Sequence, residues 1–312
     1  MLRYGVRRLL GLIPVLLAAV ILTFLANQAV PGDPITGLLS DQSGDAALEA
    51  RLRAAYGLDR PLWQQFVDYI LGVLQGDFGL SFRFAQMPVI DIIGEGLLIS
   101  PVLALSALAI AFPLGMLLGT IAAIRQNSWV DTSIILILVA GISVPNFALA
   151  SFLVYIFALQ LDWVPVAGWG SFSQAIIPIT LLIVPTSAYI ARLNRTYMLE
   201  VLRTDYIRTA RAKGLREKIV IWRHAVRNTL VPLLTTVGII LGGLLSGTFV
   251  VETIFNIPGL GSLAIQAIFA RDYPVTMAIV LLFTVFYAGI NLIVDLLYSA
   301  IDPRIRLGDL TA

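Results

Sequence analysis

Long uninterrupted apolar stretches alternate with short charged segments along the whole chain. Six of these stretches reach the length of about 20 residues that a helix needs to cross the hydrocarbon core of a membrane. They cover residues 9–32, 96–124, 132–161, 163–191, 228–251 and 275–300. The pattern therefore predicts an all-α integral membrane protein with six transmembrane helices.

The composition supports lipid as the solvent of these stretches. Of the 312 residues, 58% are hydrophobic and only 13% are charged, whereas soluble domains carry about 25% charged residues. The chain has no cysteine and a single histidine, His224. It therefore lacks the residues for disulfides and thiolate metal sites, and nearly lacks those for histidine metal sites and Ser-His triads. We interpret His224 as a packing or interface residue and expect no metal site.

The first apolar stretch has two interpretations. Arg3, Arg7 and Arg8 precede it, as basic residues precede the apolar part of a signal peptide. However, the apolar run exceeds the usual 7–15 residues of such a peptide, and no convincing cleavage site stands before Pro31. We therefore expect an uncleaved transmembrane helix.

The distribution of basic residues predicts the orientation of the chain. The N-terminus, the 125–131 loop, the 192–227 loop and the C-terminus hold three, one, ten and two Lys or Arg, against five on the other side. The positive-inside rule then places both termini in the cytoplasm. Trp129, Trp163 and Trp169 fall near predicted span ends, where aromatic belts lie.

Four parts follow from this topology: residues 1–30 (N-terminal segment and first span), 31–95 (extracytoplasmic loop), 96–302 (five-helix core with the 192–227 loop) and 303–312 (cytoplasmic tail). In the loop, residues 45–56 are typical of an amphipathic helix ended by Gly57. Residues 61–74 are typical of a second helix with Pro61 as its first residue. These helices lie on the membrane surface, pack against neighbouring spans or contact an extracytoplasmic partner.

The 192–227 loop concentrates its ten basic residues between two membrane-length stretches. Asp205 is expected to cap a short helix that starts at Tyr206, and Gly214 to supply the left-handed residue that ends it. A capped, basic helix in this position indicates a docking surface for a soluble partner. Binding of anionic lipid by ordinary positive-inside charge explains the composition equally well.

The short helix is predicted to have two distinct faces. Tyr206 and Ala210 are expected on one face, and Arg208 and Arg211 on another. A second helix, at about 216–227, leads directly into the fifth span. A displacement of the short helix would therefore reach the membrane without a flexible joint.

Several motifs resemble those of one family. The run Thr209-Ala210-Arg211-Ala212-Lys213-Gly214, followed by His224-Ala225-Val226-Arg227-Asn228, resembles the coupling loop of ABC-importer permeases. The dipeptide/oligopeptide/nickel branch is the narrower resemblance, carried by Pro31-Gly32-Asp33-Pro34, Tyr56-Gly57-Leu58-Asp59, Gly76-Asp77-Phe78-Gly79, Phe255-Asn256-Ile257-Pro258-Gly259-Leu260-Gly261 and Asp302-Pro303-Arg304-Ile305-Arg306. The general motif has Glu-Ala-Ala where this chain has Arg208-Thr209-Ala210, so a role for a glutamate is not carried over.

The resemblance implies a type I ABC-importer-like permease architecture and a set of partners. These are a second, similar permease, two ATP-binding subunits and an extracytoplasmic substrate-binding protein, with membrane lipid around the spans and no nucleic acid. ATP and Mg would belong to the partner subunits, because this chain has no G-x-x-x-x-G-K-[ST] run and is expected to carry no cofactor and no catalytic residue. The residues implied in coupling to an ATPase are Asp205, Tyr206, Arg208, Thr209, Ala210, Arg211, Lys213 and Gly214.

A second set of residues is predicted to line or gate the pathway: Asn146, Glu252, Asn256, Pro258 and Gly259. Asn146 follows Pro145 in the third stretch, where it faces a pore or a neighbouring helix. The segment 252–261 is expected just outside the fifth span, where it touches the binding protein, lines the entrance or forms a plain structured loop.

Other polar and small residues inside the spans have structural interpretations. Pro113, Pro145 and Pro185 are expected to kink their helices. Asp295 is expected to pair near the cytoplasmic interface rather than to carry protons. Small residues allow close helix contacts, so the glycines of the fifth span predict a contact with the second permease along that span. Its glycines are Gly238, Gly242, Gly243 and Gly247.

The function that these observations favour is that of a permease subunit of an ATP-driven importer in the cytoplasmic (inner) membrane of a prokaryote. Its cargo is expected to be a short peptide, with nickel chelates, glutathione and opine-like compounds as alternatives. An autonomous secondary transporter is a second hypothesis, disfavoured by the scarcity of central charges. A membrane-embedded enzyme is a third, disfavoured by the lack of the usual catalytic residues.

Overall fold

The computed structural model describes residues 2–32, 46–84 and 87–301, and within these ranges the chain is helical with no strand. The predicted tail 303–312 and the motif at 302–306 lie outside the described residues, as do Asp33, Pro34 and the side chain of Asp295. The α-helices are α1 Leu2–Ala29, α2 Ala46–Ala55, α3 Leu62–Leu74, α4 Val89–Gly96, α5 Ile99–Ile124, α6 Trp129–Ser143, α7 Asn146–Leu153, α8 Phe172–Leu202, α9 Asp205–Ala212, α10 Glu217–Ile219, α11 Val226–Ile254, α12 Leu260–Ala270 and α13 Tyr273–Ile301. Two π-helical segments, π1 Val154–Gln160 and π2 Val220–Ala225, continue α7 and α10.

The helices confirm the membrane class and show that one predicted span is broken by a sharp bend. Among the described residues, the helical segments long and apolar enough to cross a membrane unbroken are Leu10–Ala29, Val89–Ile124, Phe172–Leu202, Glu217–Ile254 and Tyr273–Val294. The span predicted at 132–161 is sharply bent rather than continuous, because α6 and the α7–π1 segment meet at 102°, and the pair counts as a sixth span if it crosses the membrane as one broken helix. Pro145 lacks an amide hydrogen and holds Val144 extended at φ −82° and ψ 121°, which ends α6.

The chain forms two compact units. The first comprises Pro101–Ile257 with both chain ends, and the second comprises Gly5–Ser100 with Pro258–Ala288. Pro113 and Pro185 lie inside α5 and α8, which both continue past them.

Glycines bring α5 and α8 of the first unit into close contact. A Cβ placed on Gly115 would lie 2.7 Å from the Ile190 Cβ, and one on Gly119 would lie 2.9 Å from the Asn194 Cβ. The Asn194 amide donates to the Met116 carbonyl at 2.7 Å across this contact. A small-x-x-x-small pair therefore sets the separation of the two helices, as in other membrane helix pairs.

The second unit packs an amphipathic helix against two spans. Phe66, Tyr69, Ile70 and Val73 of α3 pack on α1 and α13, around the buried residues Val20, Met277 and Leu281. The predicted loop helices are thus confirmed as α2 and α3, with Gly57 in the left-handed region at φ +66°. Pro61 precedes α3 rather than starting it, at φ −58° and ψ 145°.

A buried carboxylate closes the second unit. Asp272 is 1% exposed and directly precedes α13. The hydroxyl of Ser81 donates to it, as do the backbone amides of Phe82 and Arg83 at 3.1 and 3.2 Å. These donors balance the desolvation of the carboxylate and fix the segment around Ser81 to the start of α13.

Candidate functional site

The basic 192–227 loop contains the short helix expected there. Helix α9 begins at Asp205, and the N-cap position belongs to Thr204, whose backbone is extended at φ −73° and ψ 154°. The Thr204 hydroxyl donates back to the Val201 carbonyl at 2.6 Å and does not cap α9. The prediction that Asp205 is the cap is wrong by one residue, but its carboxylate still lies in the first turn, where the helix dipole favours a negative charge.

Gly214 ends α9 through a Schellman motif. Its amide donates to the Arg211 carbonyl at 2.9 Å, and the Leu215 amide donates to the Ala210 carbonyl at 3.3 Å. Gly214 has φ +73°, which confirms the predicted left-handed conformation. A Cβ at this position would meet no atom within 4 Å, so backbone conformation rather than space selects glycine.

The inner face of α9 is anchored to its own chain. Ile207 is 0% and Ala210 6% exposed. They pack in one hydrophobic cluster with Ala123 at the end of α5, with Met198 of α8, and with Val220, Ile221 and Ala225 of π2. The expected common face of Tyr206 and Ala210 is therefore wrong, because Ala210 points inward while Tyr206 is 43% exposed. Ala210 supports the helix from inside.

The outer face of α9 is polar and mostly basic. Its exposed members are Asp205, Tyr206, Arg208, Thr209 and Arg211, followed by Lys213 and Gly214 in the turn. Arg211 donates to both carboxylate oxygens of Glu217, at 3.2 and 2.6 Å, and this pair raises the pKa of Arg211 above its ordinary value. Arg208 is paired in the same way, with Asp205 at 3.3 Å. The surface therefore offers two guanidinium groups, each paired with an acid, the ammonium group of Lys213 and one aromatic ring.

The helix that follows α9 runs without a break into the membrane. Residues Glu217–Ile254 form one helical segment through α10, π2 and α11, which confirms the predicted direct connection. Arg216 takes the N-cap position at φ −57° and ψ 136°. The π-helical turn was not predicted, and three of its residues belong to the same cluster as Ile207. Helix α9 is therefore in direct apolar contact with the start of this long helix.

An ion pair near this cluster was missed by sequence reasoning. Asp131 of α6 is 3% exposed and accepts from the Arg195 Nε at 2.8 Å and Nη2 at 2.7 Å. The backbone amide of Asn127 donates to the same carboxylate at 2.9 Å. The Ser128-x-x-Asp131 spacing is an N-terminal helix signature and could have indicated the position of Asp131, but nothing in the sequence indicates Arg195 as its partner.

The predicted pathway residues of the first unit occupy different environments. Glu252 lies in the last turn of α11 and is 0% exposed, which corrects its expected position just outside the helix. Asn256 is exposed in the left-handed region at φ +51°. Asn146 is half-buried as the first residue of α7, directly after the break.

The predicted pathway residues of the second unit form a packed turn. Pro258 is exposed, whereas Gly259 is buried at the N-cap of α12. The Leu260 amide donates to the Ser100 hydroxyl at 2.9 Å. A Cβ on Gly96 would lie 3.0 Å from the Gly259 carbonyl carbon, so this turn is held against α4 of its own unit.

Two of the glycines predicted to contact another subunit along the fifth span instead lie against other helices of this chain. A Cβ on Gly238 would collide with the Asn291 side chain of α13, and one on Gly247 would lie 3.4 Å from Leu182 of α8. At these residues the close contact is internal, which corrects the expectation of a contact with another subunit. Gly243 has open space around its Cβ position.

No group of three or more His, Asp or Glu within the described ranges could hold a metal ion.

Comparison with known families defines the class of the protein. Residues 115–307 match the family described as binding-protein-dependent transport system inner membrane component. Residues 1–93 match its N-terminal counterpart, described as binding-protein-dependent transport system membrane component. The chain therefore belongs to the family of inner-membrane permease components of binding-protein-dependent ABC transporters.

Individual relatives extend this result over nearly the whole chain. The glutathione transport system permease protein GsiC of Shigella flexneri serotype 5b is 43% identical over 306 residues, covering 98% of this chain and 99% of the relative. GsiC of Escherichia coli K12 is 42% identical over the same coverage. An inward-facing structure of the MetNI methionine ABC transporter matches with a TM-score of 0.54 and 20% identity, over 69% of this chain and 96% of that one. The last likeness shows the fold.

Proposed function

We propose that this chain forms half of the translocation pathway of an ATP-driven importer for short peptides, with glutathione as the first cargo to test. The observation that carries the proposal is the 43% identity to a glutathione permease over 98% of this chain. Glutathione is itself a tripeptide, so this relative and the resemblance to peptide permeases point to the same chemical class. A nickel chelate and an opine-like compound are the alternatives.

The proposed partners follow from the family and from the surface of α9. A second permease completes the pathway, a binding protein delivers cargo outside, and two ATP-binding subunits hydrolyse ATP with Mg on the cytoplasmic side, where the distribution of basic residues predicts both termini. The exposed face of α9, with Tyr206, Arg208 and Arg211, inserts into a groove on one ATPase. Closure of the ATPases displaces α9, and the continuous helix Glu217–Ile254 carries the movement into the membrane.

The cargo is tested by reconstituting this permease with its partner subunits in liposomes. Uptake of labelled glutathione, of a dipeptide, of a tetrapeptide and of chelated nickel is measured with and without ATP and the binding protein. Peptide uptake that requires both ATP and the binding protein is expected. Uptake of nickel alone would refute the peptide class, and uptake driven by an ion gradient without ATP would support a secondary transporter.

The coupling surface is tested with a matched pair of arginine variants. Arg208→Ala removes an exposed charge from α9, whereas Arg125→Ala removes an exposed charge from the same predicted side outside α9. We expect Arg208→Ala to reduce cargo-stimulated ATP hydrolysis and co-purification of the ATPase, and Arg125→Ala to change neither. Equal effects of the two variants would show that general positive charge, and not α9, binds the partner.

A further inference from the structure

A cavity of about 310 Å³ lies within the second unit, between the end of α1, helix α3 and the start of α13. Its walls are mainly apolar, with Phe24, Tyr56, Phe78, Phe82 and Met277 among the lining residues, and a smaller polar part includes Arg60, Asp68 and Asp77. The volume lies at the lower end of the range for small-molecule sites, which are mostly apolar and carry a few placed polar groups. The cavity is thus large enough for part of an organic ligand.

Two hydrogen-bond donors that line this cavity have no partner among the described residues. They are the amide nitrogen of Asn27 and the hydroxyl of Tyr69, both removed from water. Burial raises the pKa of Tyr69, so the phenol keeps its proton. A buried donor left without an acceptor costs about 1–3 kcal/mol. Two such donors in one cavity indicate a ligand that brings oxygen acceptors.

A second, more polar chamber of about 260 Å³ adjoins the first. The two chambers share Gln28, Leu58, Gln65 and Tyr273 as lining residues. Two charged groups at the walls are paired with an opposite charge, since Arg60 contacts Asp68 at 2.7 Å and Arg53 contacts Glu49 at 3.0 Å. Asp77 also lines the first chamber, and its carboxylate accepts from the Gly79 backbone amide at 2.8 Å. A mainly apolar chamber beside a more polar one fits an amphiphile with acceptor oxygens at the junction of its two parts.

The position of the cavity along α1 points to a lipid. Phe24 and Asn27 lie in the last turns of the apolar segment Leu10–Ala29, where a spanning helix reaches the membrane interface. Helix α3 packs one face inward and leaves Trp63 69% and Leu74 78% exposed on another. A helix with an exposed tryptophan and an exposed apolar face is typical of the interface, where the ester groups of phospholipids lie.

We propose that this cavity binds the glycerol-ester region of a membrane phospholipid. An ester carbonyl oxygen of the lipid accepts a hydrogen bond from the side-chain amide of Asn27, and another lipid oxygen accepts one from the Tyr69 hydroxyl. An acyl chain runs along Phe24 and Met277. The polar chamber holds the more hydrophilic end of the lipid. The bound lipid would join α1, α3 and α13 into one stable extracytoplasmic unit.

The test uses the full-length protein in its transporter complex, in nanodiscs of phosphatidylethanolamine that carries a diazirine in one acyl chain. Irradiation and mass spectrometry locate the lipid adducts. Met277 is only 5% exposed, so an adduct there reports entry into the cavity. Ile137 of α6 is 69% exposed and reports contact with the bulk lipid.

Adducts at both residues are expected in the wild type. In Tyr69→Phe, which removes only the hydroxyl, and in Asn27→Leu, the Met277 adduct should fall about tenfold relative to the Ile137 adduct, as the loss of a hydrogen bond to a buried donor predicts. Tyr155→Phe on the exposed surface of π1 is the matched control. Absence of a Met277 adduct from the wild type, or equal adducts in wild type and both variants, would overturn the proposal. A chain of ordered waters on both donors in a cryo-EM map would overturn it as well.

Discussion

The anchoring of α9 by Ile207 gives the sharpest prediction. An isolated helix of eight residues is unstable in water, so α9 depends on the cluster that buries its inner face. Ile207 is 0% exposed in that cluster. Truncation of a fully buried isoleucine to alanine costs about 2–5 kcal/mol. At about 3 kcal/mol, Ile207→Ala raises the detached population of α9 roughly 100-fold.

Hydrogen exchange of the backbone amides measures this detachment in the purified transporter. We expect the amides of α9 to exchange about 100-fold faster in Ile207→Ala, and the buried part of α11 to be unaffected. Ile207→Val, which costs about 0.5–1.5 kcal/mol, should give an intermediate rate. Cargo-stimulated ATP hydrolysis should fall in the same order.

Tyr206→Ala is the matched control for the anchoring argument. Tyr206 neighbours Ile207 in the sequence but is 43% exposed on the outer face. Its truncation should leave the exchange of α9 unchanged while it weakens contact with the ATPase. If Ile207→Ala exchanges like the wild type, packing does not hold α9 and the transmission path through this cluster is wrong.

Four further single variants test the surrounding geometry through thermal unfolding and ATP hydrolysis. Gly214→Ala should cost only about 1 kcal/mol, from its left-handed backbone, whereas Gly119→Ala should cost more because the added methyl meets the backbone of α8. Asp131→Asn should destabilise by about 3 kcal/mol, because it leaves Arg195 without its buried carboxylate, and replacing both residues with apolar ones should cost less. Arg211→Ala breaks an exposed pair worth less than about 1 kcal/mol, so it should leave the melting temperature unchanged while cargo-stimulated hydrolysis falls. A melting temperature that drops as far in Arg211→Ala as in Asp131→Asn would contradict this ranking.

The sequence predicts the helices of this protein because lipid imposes a simple rule. Every backbone amide in the hydrocarbon core must be paired within its own helix, so an uncharged stretch of sufficient length specifies a helix. Gly214 was predictable for a similar local reason, since it follows a short polar helix and only glycine adopts its conformation without strain.

Tertiary pairings were not predictable from the sequence. Asp131 and Arg195 lie 64 positions apart, and the side-chain pattern near each residue is compatible with an exposed loop. The inward orientation of Ala210 depends on Met198 and Ala123, which come from two other helices. The break at Val144 was only half predicted, because proline indicates a kink but does not determine its angle of 102°.

The same pairings support the proposed action of the α9 surface on a membrane span. Interiors packed at crystal-like density transmit displacement instead of absorbing it, and Ile207 and Val220 share one such cluster across the turn at Gly214. The Arg211–Glu217 pair closes that turn from outside, with its shorter contact at 2.6 Å. The turn is thus held mainly by a Schellman motif and a shared apolar cluster, with the exposed ion pair as a small addition, so we expect α9 and the start of the helix Glu217–Ile254 to move together. An exposed loop of the same charge, without the buried face of α9, would bind a partner but would transmit little of its movement.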